Sequence, residues 1–395
     1  MMSERVILLR GKERALHNRH PWVFSGAIAR APQVPPGSLV EVHADDSTWL
    51  ARGYYNRHSQ IALRLLTWEP SEAIDDAFWQ SRLQAAIQRR AGLYHPGQTT
   101  ALRLVYAESD ALPGLIVDRY DNWLILQALT AGIDRIKQQL AEWLLALTGC
   151  RGVYERSDAD VRSQEGLRQM NGLLVGSQPP NPVRVLEHGL TFEVDTLHGH
   201  KTGFYLDQRE NRRLLVPYCA DARVLNAFAY TGGFGVYAAA AGAREVVNLD
   251  SSADALARAE RNIALNAPDA SVTSLEGDAF TLLRELRARG EQFDMVILDP
   301  PKFVFSRNQL EQGLRGYKDI LLLGMQLVRP DGLLAGFSCS GLVSRELYQK
   351  VAFGASLDAG RQARILAQLS QSQDHPVLLT FPEAAYLKGL LLRIE

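Results

Sequence analysis

The sequence predicts an α/β protein whose C-terminal half forms a doubly wound parallel sheet. From Thr191 onward, short apolar runs alternate with helical segments, the pattern of a parallel sheet covered by helices. Polar or acidic residues follow most of these runs, at the edge where such sheets bind ligands. The earlier half reads as short strands, turns and two helices, so we expect a β-rich module and a small α+β domain there.

Length and composition indicate a globular protein with several domains. The chain has 395 residues, of which 46% are hydrophobic and 22% charged, and a formal net charge of −1. About two or three domains are expected at this length. No apolar segment is long enough to span a bilayer, so we expect no membrane partner. Three widely spaced cysteines favour a reducing cytoplasm over a disulfide framework, and no Cys/His spacing resembles a zinc site.

The first domain is predicted over residues 1–75. Apolar or alternating runs at residues 6–9, 39–42, 49–51 and 61–66 are separated by turn residues, which is typical of a small β-rich barrel. The first thirty residues carry six Arg or Lys and two Glu, a local net charge of +4. Such a basic face can bind phosphates, although an ordinary solvated surface has the same composition.

The second domain is predicted over residues 76–190. Apolar residues at helical spacing predict helices over residues 73–91 and 133–147, with strands between them. A Pro-rich segment, Gln178–Pro182, marks the exit from this domain. The third domain, residues 191–395, carries the parallel sheet.

The stretch from Val224 to Asp250 predicts a site for a nucleotide-like ligand. A strand at 224–228 leads into a glycine-rich turn, a helix and a second strand that ends in Asp250. Glycines permit close approach to the backbone, a helix N-terminus offers N–H groups, and Asp250 can accept both ribose hydroxyls. The turn also fits the weak G-x-G-x-x-A dinucleotide pattern, and a turn that serves packing alone stays an alternative.

The rest of the sheet follows from four further segments. We expect Ser251 to cap a helix over residues 253–265. Apolar runs predict strands at 272–275, 293–298 and 333–337. These strands end in polar residues, which a parallel sheet places on one rim.

An acidic residue follows each of three strands: Asp250, Asp278 and Asp299. A dehydrogenase that binds a dinucleotide would need only Asp250, for the ribose hydroxyls. An enzyme that uses S-adenosyl-L-methionine gives each a role, with Asp250 on the ribose, Asp278 on the adenine amino group and Asp299 beside the methyl donor and the substrate base. A hydrogen bond to a charged group contributes roughly 1.5–3 kcal/mol, so this set could define the cofactor. A helix cap or turn is the alternative for each Asp.

The motif Asp299–Phe303, DPPKF, and Cys339 bear on the reaction. The two prolines fix an extended loop that can present Asp299 to a planar base, as in enzymes that methylate exocyclic amines. Cys339 instead favours methylation at C5 of cytosine, because a thiolate that adds to C6 makes C5 nucleophilic. We expect the thiol to be activated by Lys302 or by its loop backbone. A small buried cysteine without chemistry is the alternative.

Six motifs along the chain carry a resemblance to a known family. They are HPWVFSG (His20–Gly26), ESDALPGLIVDR (Glu108–Arg119), HGHKTGFYLDQRENR (His198–Arg213), NAFAYTGGF (Asn226–Phe234), DPPKF (Asp299–Phe303) and FSCSG (Phe337–Gly341). Through them the sequence resembles the bacterial 23S rRNA 5-methylcytosine methyltransferases of the large-subunit methyltransferase I family. The resemblance implies an N-terminal PUA RNA-binding domain, a small central α+β domain and a Rossmann-like S-adenosylmethionine-dependent methyltransferase domain.

The resemblance also implies site residues and partners. Cys339 occupies the nucleophile position, and Asp299 is the second catalytic candidate. The implied cofactor-binding residues are Lys201, Gln208, Phe228, Tyr230, Thr231, Gly232, Gly233, Asp250, Asp278, Asp299 and Pro300. The implied partner is 23S rRNA or the large ribosomal subunit. The Asp-Pro loop has no second cysteine, so the base that takes the C5 proton is unassigned, with Glu383 as a candidate.

The leading hypothesis is therefore methylation of C5 of a cytosine in 23S rRNA through a cysteine adduct at C6. One alternative is N-methylation of an exocyclic base amine. Another is a ribosome-assembly RNA-binding protein with vestigial cofactor affinity. The sequence leaves the oligomeric state open, with a homodimer as one option.

Overall fold

The computed structural model describes residues 4–395, and the chain divides into two compact units. Each unit is assembled from separate parts of the sequence. The first unit consists of the described part of Met1–Val185, with Val194–Phe204 and Asp374–Ala384. The second consists of Leu186–Glu193, Tyr205–Gln373 and Ala385–Glu395.

A six-stranded sheet, in the order β2-β6-β5-β4-β1-β3, forms the N-terminal part of the first unit. Its neighbouring strands are antiparallel except for the parallel pair β1 and β4. Alternate residues such as Val6 and Leu8 are buried, so one face of the sheet packs on the core. The elements are β1 (Arg5–Leu8), α1 (Arg14–His17), β2 (Trp22–Val23), β3 (Ile28–Arg30), β4 (Ser38–His43), β5 (Trp49–Tyr55) and β6 (Leu63–Thr67).

A five-stranded sheet with two long helices forms the α+β part predicted for the middle of the chain. Its strand order is β11-β10-β9-β8-β7. The first helix begins three residues later than predicted, because the Asp75 carboxylate accepts the N–H of Phe78 and caps it there. The elements are α2 (Asp76–Arg89), β7 (Ala101–Tyr106), β8 (Leu115–Tyr120), β9 (Trp123–Ala128), α3 (Ala131–Thr148), β10 (Gly152–Ser157), α4 (Val161–Gln164) and β11 (Met170–Gly176).

A seven-stranded sheet, in the order β16-β15-β14-β17-β18-β20-β19, forms the second unit. Strands β12 (Val183–Glu187) and β13 (Leu190–Val194) precede it as a two-stranded sheet, followed by helix α5 (Arg209–Leu215). The elements of the large sheet are β14 (Arg223–Ala227), α6 (Gly233–Ala240), β15 (Glu245–Asp250), α7 (Ala253–Ala264), β16 (Val272–Glu276), α8 (Ala279–Ala288), β17 (Phe293–Leu298), α9 (Leu310–Leu327), β18 (Val328–Ser338), α10 (Arg345–Ala359), β19 (Ala363–Ser370) and β20 (Lys388–Ile394).

The predicted doubly wound sheet is confirmed. Strands β14 to β18 pair in parallel, as expected for buried apolar runs joined by helices. The antiparallel pairs that β20 makes with β18 and β19 lie beyond the last predicted strand. No helix in residues 4–395 combines the length and apolar content needed to cross a membrane.

Helix α7 corrects one prediction. Ser252, rather than Ser251, is its N-cap, and the Ser252 hydroxyl accepts the N–H of Ala255 at 3.2 Å. The backbone of Ser252 is extended, and its N–H donates to Asp250 Oδ1 at 3.0 Å. Asp250 therefore fixes the turn one residue further along the chain than the sequence suggested.

Candidate active site

The candidate site lies at the carboxyl ends of the central strands of the second unit. In the sheet register, Ala227 at the end of β14 pairs with both Leu249 of β15 and Leu298 of β17. Leu298 also pairs with Gly336 of β18. The segments that follow these residues therefore meet at one edge. Strands β15 and β16 lie on one side of β14, and the next strands in the sequence, β17 and β18, lie on its other side. Open α/β sheets bind ligands at the point where the strand order reverses in this way.

The loop after β14 holds two non-glycine residues in left-handed backbone conformations. Phe228 has φ 60° and Tyr230 has φ 48°. Such conformations cost of order 1–3 kcal/mol each and are common at ligand-binding positions. The loop is kept in place because Ala229 donates its N–H to the Leu249 carbonyl at 2.9 Å and Tyr230 donates to Asp250 Oδ2 at 2.8 Å.

Gly232 and Gly233 differ in what their missing side chains allow. Gly232 has φ 79°, and a Cβ atom on it would come within 2.7 Å of the Ala259 Cβ on α7. Gly232 therefore serves close packing. A Cβ atom on Gly233 would lie 3.3 Å from the Arg212 side chain. The neighbouring Thr231 is buried, and its carbonyl accepts from Asn262 Nδ2 at 3.0 Å.

Asp250 and Asp278 both have local structural partners. Asp250 accepts one backbone N–H on each carboxylate oxygen, which fixes its orientation at the end of β15. Asp278 is exposed and caps α8, because its Oδ1 accepts the N–H and the hydroxyl of Thr281, both at 2.9 Å. The cap considered as the alternative for Asp278 is thus present. It uses only Oδ1, which leaves Oδ2 for other donors.

Gln208 lies at the start of α5 and is 2% exposed. Its Oε1 accepts from Asn211 Nδ2 at 2.6 Å, but within residues 4–395 its buried Nε2 has no hydrogen-bond partner. An unsatisfied buried donor costs about 1–3 kcal/mol, so a ligand oxygen at Nε2 would be stabilising. Lys201 belongs to the first unit, where it is exposed with φ 54°.

Cys339 follows β18 and is a partly exposed thiol, so it is not the buried cysteine of the alternative reading. Its neighbours Ser338 and Ser340 are fully buried. The Ser340 hydroxyl accepts the Val304 N–H at 3.2 Å and hydrogen-bonds to the Tyr317 hydroxyl at 2.8 Å. Val304 directly follows the DPPKF motif, so these hydrogen bonds hold the cysteine loop and the Asp-Pro-Pro loop together.

Within that second loop, Asp299 is partly buried and Pro300 is buried. Asp299 lies near Tyr205, since burial, reinforced by the charge of Asp299, raises the pKa of Tyr205 well above its ordinary value. The Tyr205 ring packs edge-on against Tyr230 with centroids 5.4 Å apart. Tyr205 stands inside the HGHKTGFYLDQRENR motif, but sequence reasoning did not select it.

Lys388 is a second residue that sequence reasoning missed. It lies on β20 opposite Ser338, is 5% exposed, and donates from Nζ to the Ser340 carbonyl at 2.6 Å. Burial lowers the pKa of Lys388 to about 8, although a Cys339 thiolate would raise it. The sequence feature that could have indicated Lys388 is its position two residues before three consecutive leucines, Leu390–Leu392. Lys302, the activator expected from the sequence, is exposed, and its Nζ lies 5.4 Å from the centroid of the Phe305 ring.

Glu383 belongs to the first unit, where one carboxylate oxygen lies 3.2 Å from His20 Nε2. His20 is the first residue of the HPWVFSG motif, whose Trp22 ring packs against Phe381 with centroids 4.7 Å apart. Glu383 therefore has a polar partner within the first unit, and its part in C5 deprotonation stays a prediction.

Comparisons with known proteins show the domain types and the fold of the chain. A model of S-adenosylmethionine-dependent methyltransferases matches residues 169–393, and a PUA-like domain matches residues 6–68. A Streptococcus mutans chain described as a SAM-dependent methyltransferase has a TM-score of 0.85 at 21% identity, over 98% of this chain and 99% of that chain. A methyltransferase-like chain solved with SAH also has a TM-score of 0.85, at 19% identity, over the same shares. These two likenesses show the fold.

Full-length relatives show the family. A protein of Tolumonas auensis named "Ribosomal RNA large subunit methyltransferase I" is 48% identical over 99% of this chain and 100% of its own length. Proteins of the same name from Aeromonas salmonicida and Escherichia coli O157:H7 are 47% and 45% identical, over 99% and 100% of this chain and the whole of each relative. The chain therefore belongs to the ribosomal RNA large subunit methyltransferase I family and is an S-adenosylmethionine-dependent methyltransferase.

Proposed function

We propose that the protein methylates C5 of a cytosine in 23S rRNA with Cys339 as the nucleophile. The observation that carries this proposal is the position of Cys339, a partly exposed thiol whose loop is hydrogen-bonded to the segment following Asp299–Phe303. The printed names of the relatives support RNA of the large ribosomal subunit as the substrate.

The residues at the strand ends fit S-adenosylmethionine. Asp250 would accept the ribose hydroxyls, Asp278 Oδ2 would accept from the adenine amino group, and the orphaned Gln208 Nε2 would donate to a cofactor oxygen. When bound, the cofactor supplies an electrophilic methyl group. The left-handed Phe228 and Tyr230 shape the loop beside it. Thr231, Gly232, Gly233 and Pro300 keep their predicted cofactor roles as part of this proposal, and the role of Lys201 stays a prediction from the sequence.

The protein's own groups would carry out the remaining steps. Asp299 would hold the cytosine amino group. The Cys339 thiolate would add to C6, and the C5–C6 electron pair would move to C5, which takes the methyl group. A base then removes the C5 proton, the double bond re-forms, and the thiolate leaves with its electron pair. Atoms and charge balance across these steps without an oxidant or reductant.

The target base has to reach Cys339 and the methyl group together. We infer that it is unpaired or flipped out of its stack, at a cost of a few kcal/mol. We further infer three domains, residues 1–75, 76–190 and 191–395, of which the first two would position the RNA. The separate six-stranded and five-stranded sheets support this division of the N-terminal half.

Replacement of Cys339 by serine tests the proposal. Serine keeps the size of the side chain but is a much weaker nucleophile, so we expect Cys339→Ser to bind cofactor and rRNA while 5-methylcytosine falls below about one thousandth of the wild-type amount. The measurement is nucleoside mass spectrometry of unmodified 23S rRNA incubated with protein and S-adenosylmethionine. Cys219→Ser is the matched control and should retain activity, because Cys219 is a buried thiol that donates to the Leu215 carbonyl at 3.3 Å.

The other outcomes separate the alternatives. An N-methylated base that is still made by Cys339→Ser would assign the reaction to Asp299 and an exocyclic amine. No methylated nucleoside with either rRNA or large subunits would favour an assembly protein. The same incubations compare naked rRNA with subunits as substrate.

The cell compartment and the oligomeric state of the protein are also part of this proposal. Within residues 4–395 the three cysteines form no disulfide with one another, which supports a reducing compartment such as the cytoplasm. Light scattering of the full-length protein would show whether it forms a homodimer.

A further inference from the structure

Lys388 is a buried cation that the mechanism above does not use. It begins β20, in which Leu390, Leu391 and Leu392 are also buried. Burying an ammonium group among apolar side chains is costly unless it gains polar partners. The Ser340 carbonyl, 2.6 Å from Nζ, is one such partner. We therefore expect the buried Lys388 to have a role at the loop that it contacts.

The register of the sheet places Lys388 next to the loop that carries Cys339, the proposed nucleophile. Its backbone pairs with Ser338, while its side chain reaches the Ser340 carbonyl, so the lysine spans the loop on both sides of Cys339. The same loop is fixed by Val304 and Tyr317 through the Ser340 hydroxyl. The ammonium group is therefore held close to the Cys339 residue by hydrogen bonds and by strand pairing, rather than by a flexible surface side chain.

Among the groups whose charge acts on Lys388, Cys339 is the acidic one. The positive charges of Arg345, at the start of α10, and Lys302, in the Asp-Pro-Pro loop, lower the pKa of Lys388, whereas a thiolate at Cys339 would raise it. Burial is the larger cause and brings the pKa of Lys388 to about 8.

Tyr317 and Tyr205 lie close enough to Cys339 to be affected by its charge, and both phenols are uncharged at neutral pH. Burial raises the pKa of Tyr317 on α9, and burial together with the charge of Asp299 raises that of Tyr205. Asp299 and Asp207 are carboxylates whose charge raises the pKa of Tyr205. Carboxylate charge near the sulfur opposes a thiolate, and a cation beside the sulfur favours it.

We propose that Lys388 is the positioning residue that activates Cys339, its ammonium group holding Sγ as a thiolate both for attack on C6 and when the sulfur leaves. The proposal rests on the proposed function. The thiol proton moves to the Lys388 amine, or to water when Lys388 already carries its proton, and no other bond changes. An ammonium close to a thiol favours the ionised sulfur, as at other activated cysteines.

The test is the pH dependence of Cys339 alkylation by iodoacetamide in the full-length protein without RNA. We expect Lys388→Met to raise the thiol pKa by at least one unit, which slows alkylation at pH 7 by about tenfold or more. Lys388→Arg keeps the positive charge and should stay close to wild type. Reaction of Cys150 and Cys219, both buried, is subtracted with Cys339→Ser. An unchanged thiol pKa in Lys388→Met would overturn the proposal.

Two controls keep the result interpretable. Lys350→Met removes an exposed lysine from α10 and should leave the thiol pKa unchanged. If Lys388→Met fails to fold, judged by circular dichroism and cofactor binding, Lys388→Gln removes the charge with a polar side chain and should raise the thiol pKa in the same way. An unchanged thiol pKa in Lys388→Gln counts against the proposal equally.

Enzyme turnover gives an independent readout. The kcat of Lys388→Met should recover as pH is raised from 7 to 9, because more of the thiol then ionises. A structural defect would lower kcat equally at each pH, and that result would contradict the proposal. If wild type makes no 5-methylcytosine but the alkylation shift appears, the proposed function alone fails. If 5-methylcytosine forms and the thiol pKa is unaffected, only the role of Lys388 fails.

Discussion

Several residues of this site have a structural role and are also predicted to bind the cofactor. Asp250 orients the loop after β14 and the cap of α7, and Asp278 caps α8, while both are also the predicted cofactor contacts. Gly232 combines a left-handed backbone with close packing on α7. The sequence selected these positions because strand ends and glycines are visible in it. It could not say how each is shared between folding and binding.

Gly232→Ala should destabilise the protein by about 1–3 kcal/mol, since both the backbone strain and the contact with Ala259 oppose a methyl group. Gly242 has a similar φ of 82° but open space where its Cβ would lie. Gly242→Ala therefore isolates the backbone strain and should cost clearly less. Urea unfolding of the two variants measures the difference, and equal losses would show that the contact with α7 contributes nothing.

At the scale of secondary structure, prediction worked where the pattern was local and continuous. Strand β17 is a nearly uninterrupted apolar run, which is typical of a buried parallel strand. The short β2 and β3, with two and three residues, carry too little pattern to be predicted. Lys388 opens β20, where a cation is usually taken as a sign of exposure. Its burial depends on a neighbouring strand that is distant in sequence.

The choice between two adjacent serines gives a sharp test of the cap of α7. Ser252→Ala should cost about 1 kcal/mol, because it removes the acceptor for the Ala255 N–H. Ser251→Ala changes an exposed residue outside the cap and should cost no more than a few tenths of that value. Chemical denaturation compares the two variants. A larger loss in Ser251→Ala would return the cap to the residue that the sequence first suggested.

At the scale of the whole molecule, the chain interleaves its two compact units. Leu186–Glu193 belongs to the second unit, and the following Val194–Phe204 belongs to the first. Sequence analysis divides a chain into consecutive domains, so it could not predict this exchange of short segments. It did predict the parallel strands of the C-terminal half and several strands of the N-terminal half, because each of these has a local hydrophobic pattern.

A buried ion pair anchors the first of these segments within the second unit. Glu187 and Arg212 are 0% and 2% exposed and form two hydrogen bonds of 2.7 Å. Glu187→Gln should destabilise the protein by about 3–5 kcal/mol, because the guanidinium of Arg212 stays buried without its counter-charge. Differential scanning calorimetry measures the loss. The double variant Glu187→Met, Arg212→Met should regain much of it, and a double variant as unstable as the single one would contradict this account.

The position of β20 in the sheet has a consequence for incomplete chains. This strand is formed by residues 388–394 but lies between β18 and β19, both of which precede it in the sequence. A polypeptide cut or stalled before residue 388 would contain all the other strands, yet a gap would separate β18 from β19 and the cysteine loop would lose its lysine. Residues 388–394 must therefore be synthesised and paired before Lys388 can contact the loop that carries Cys339.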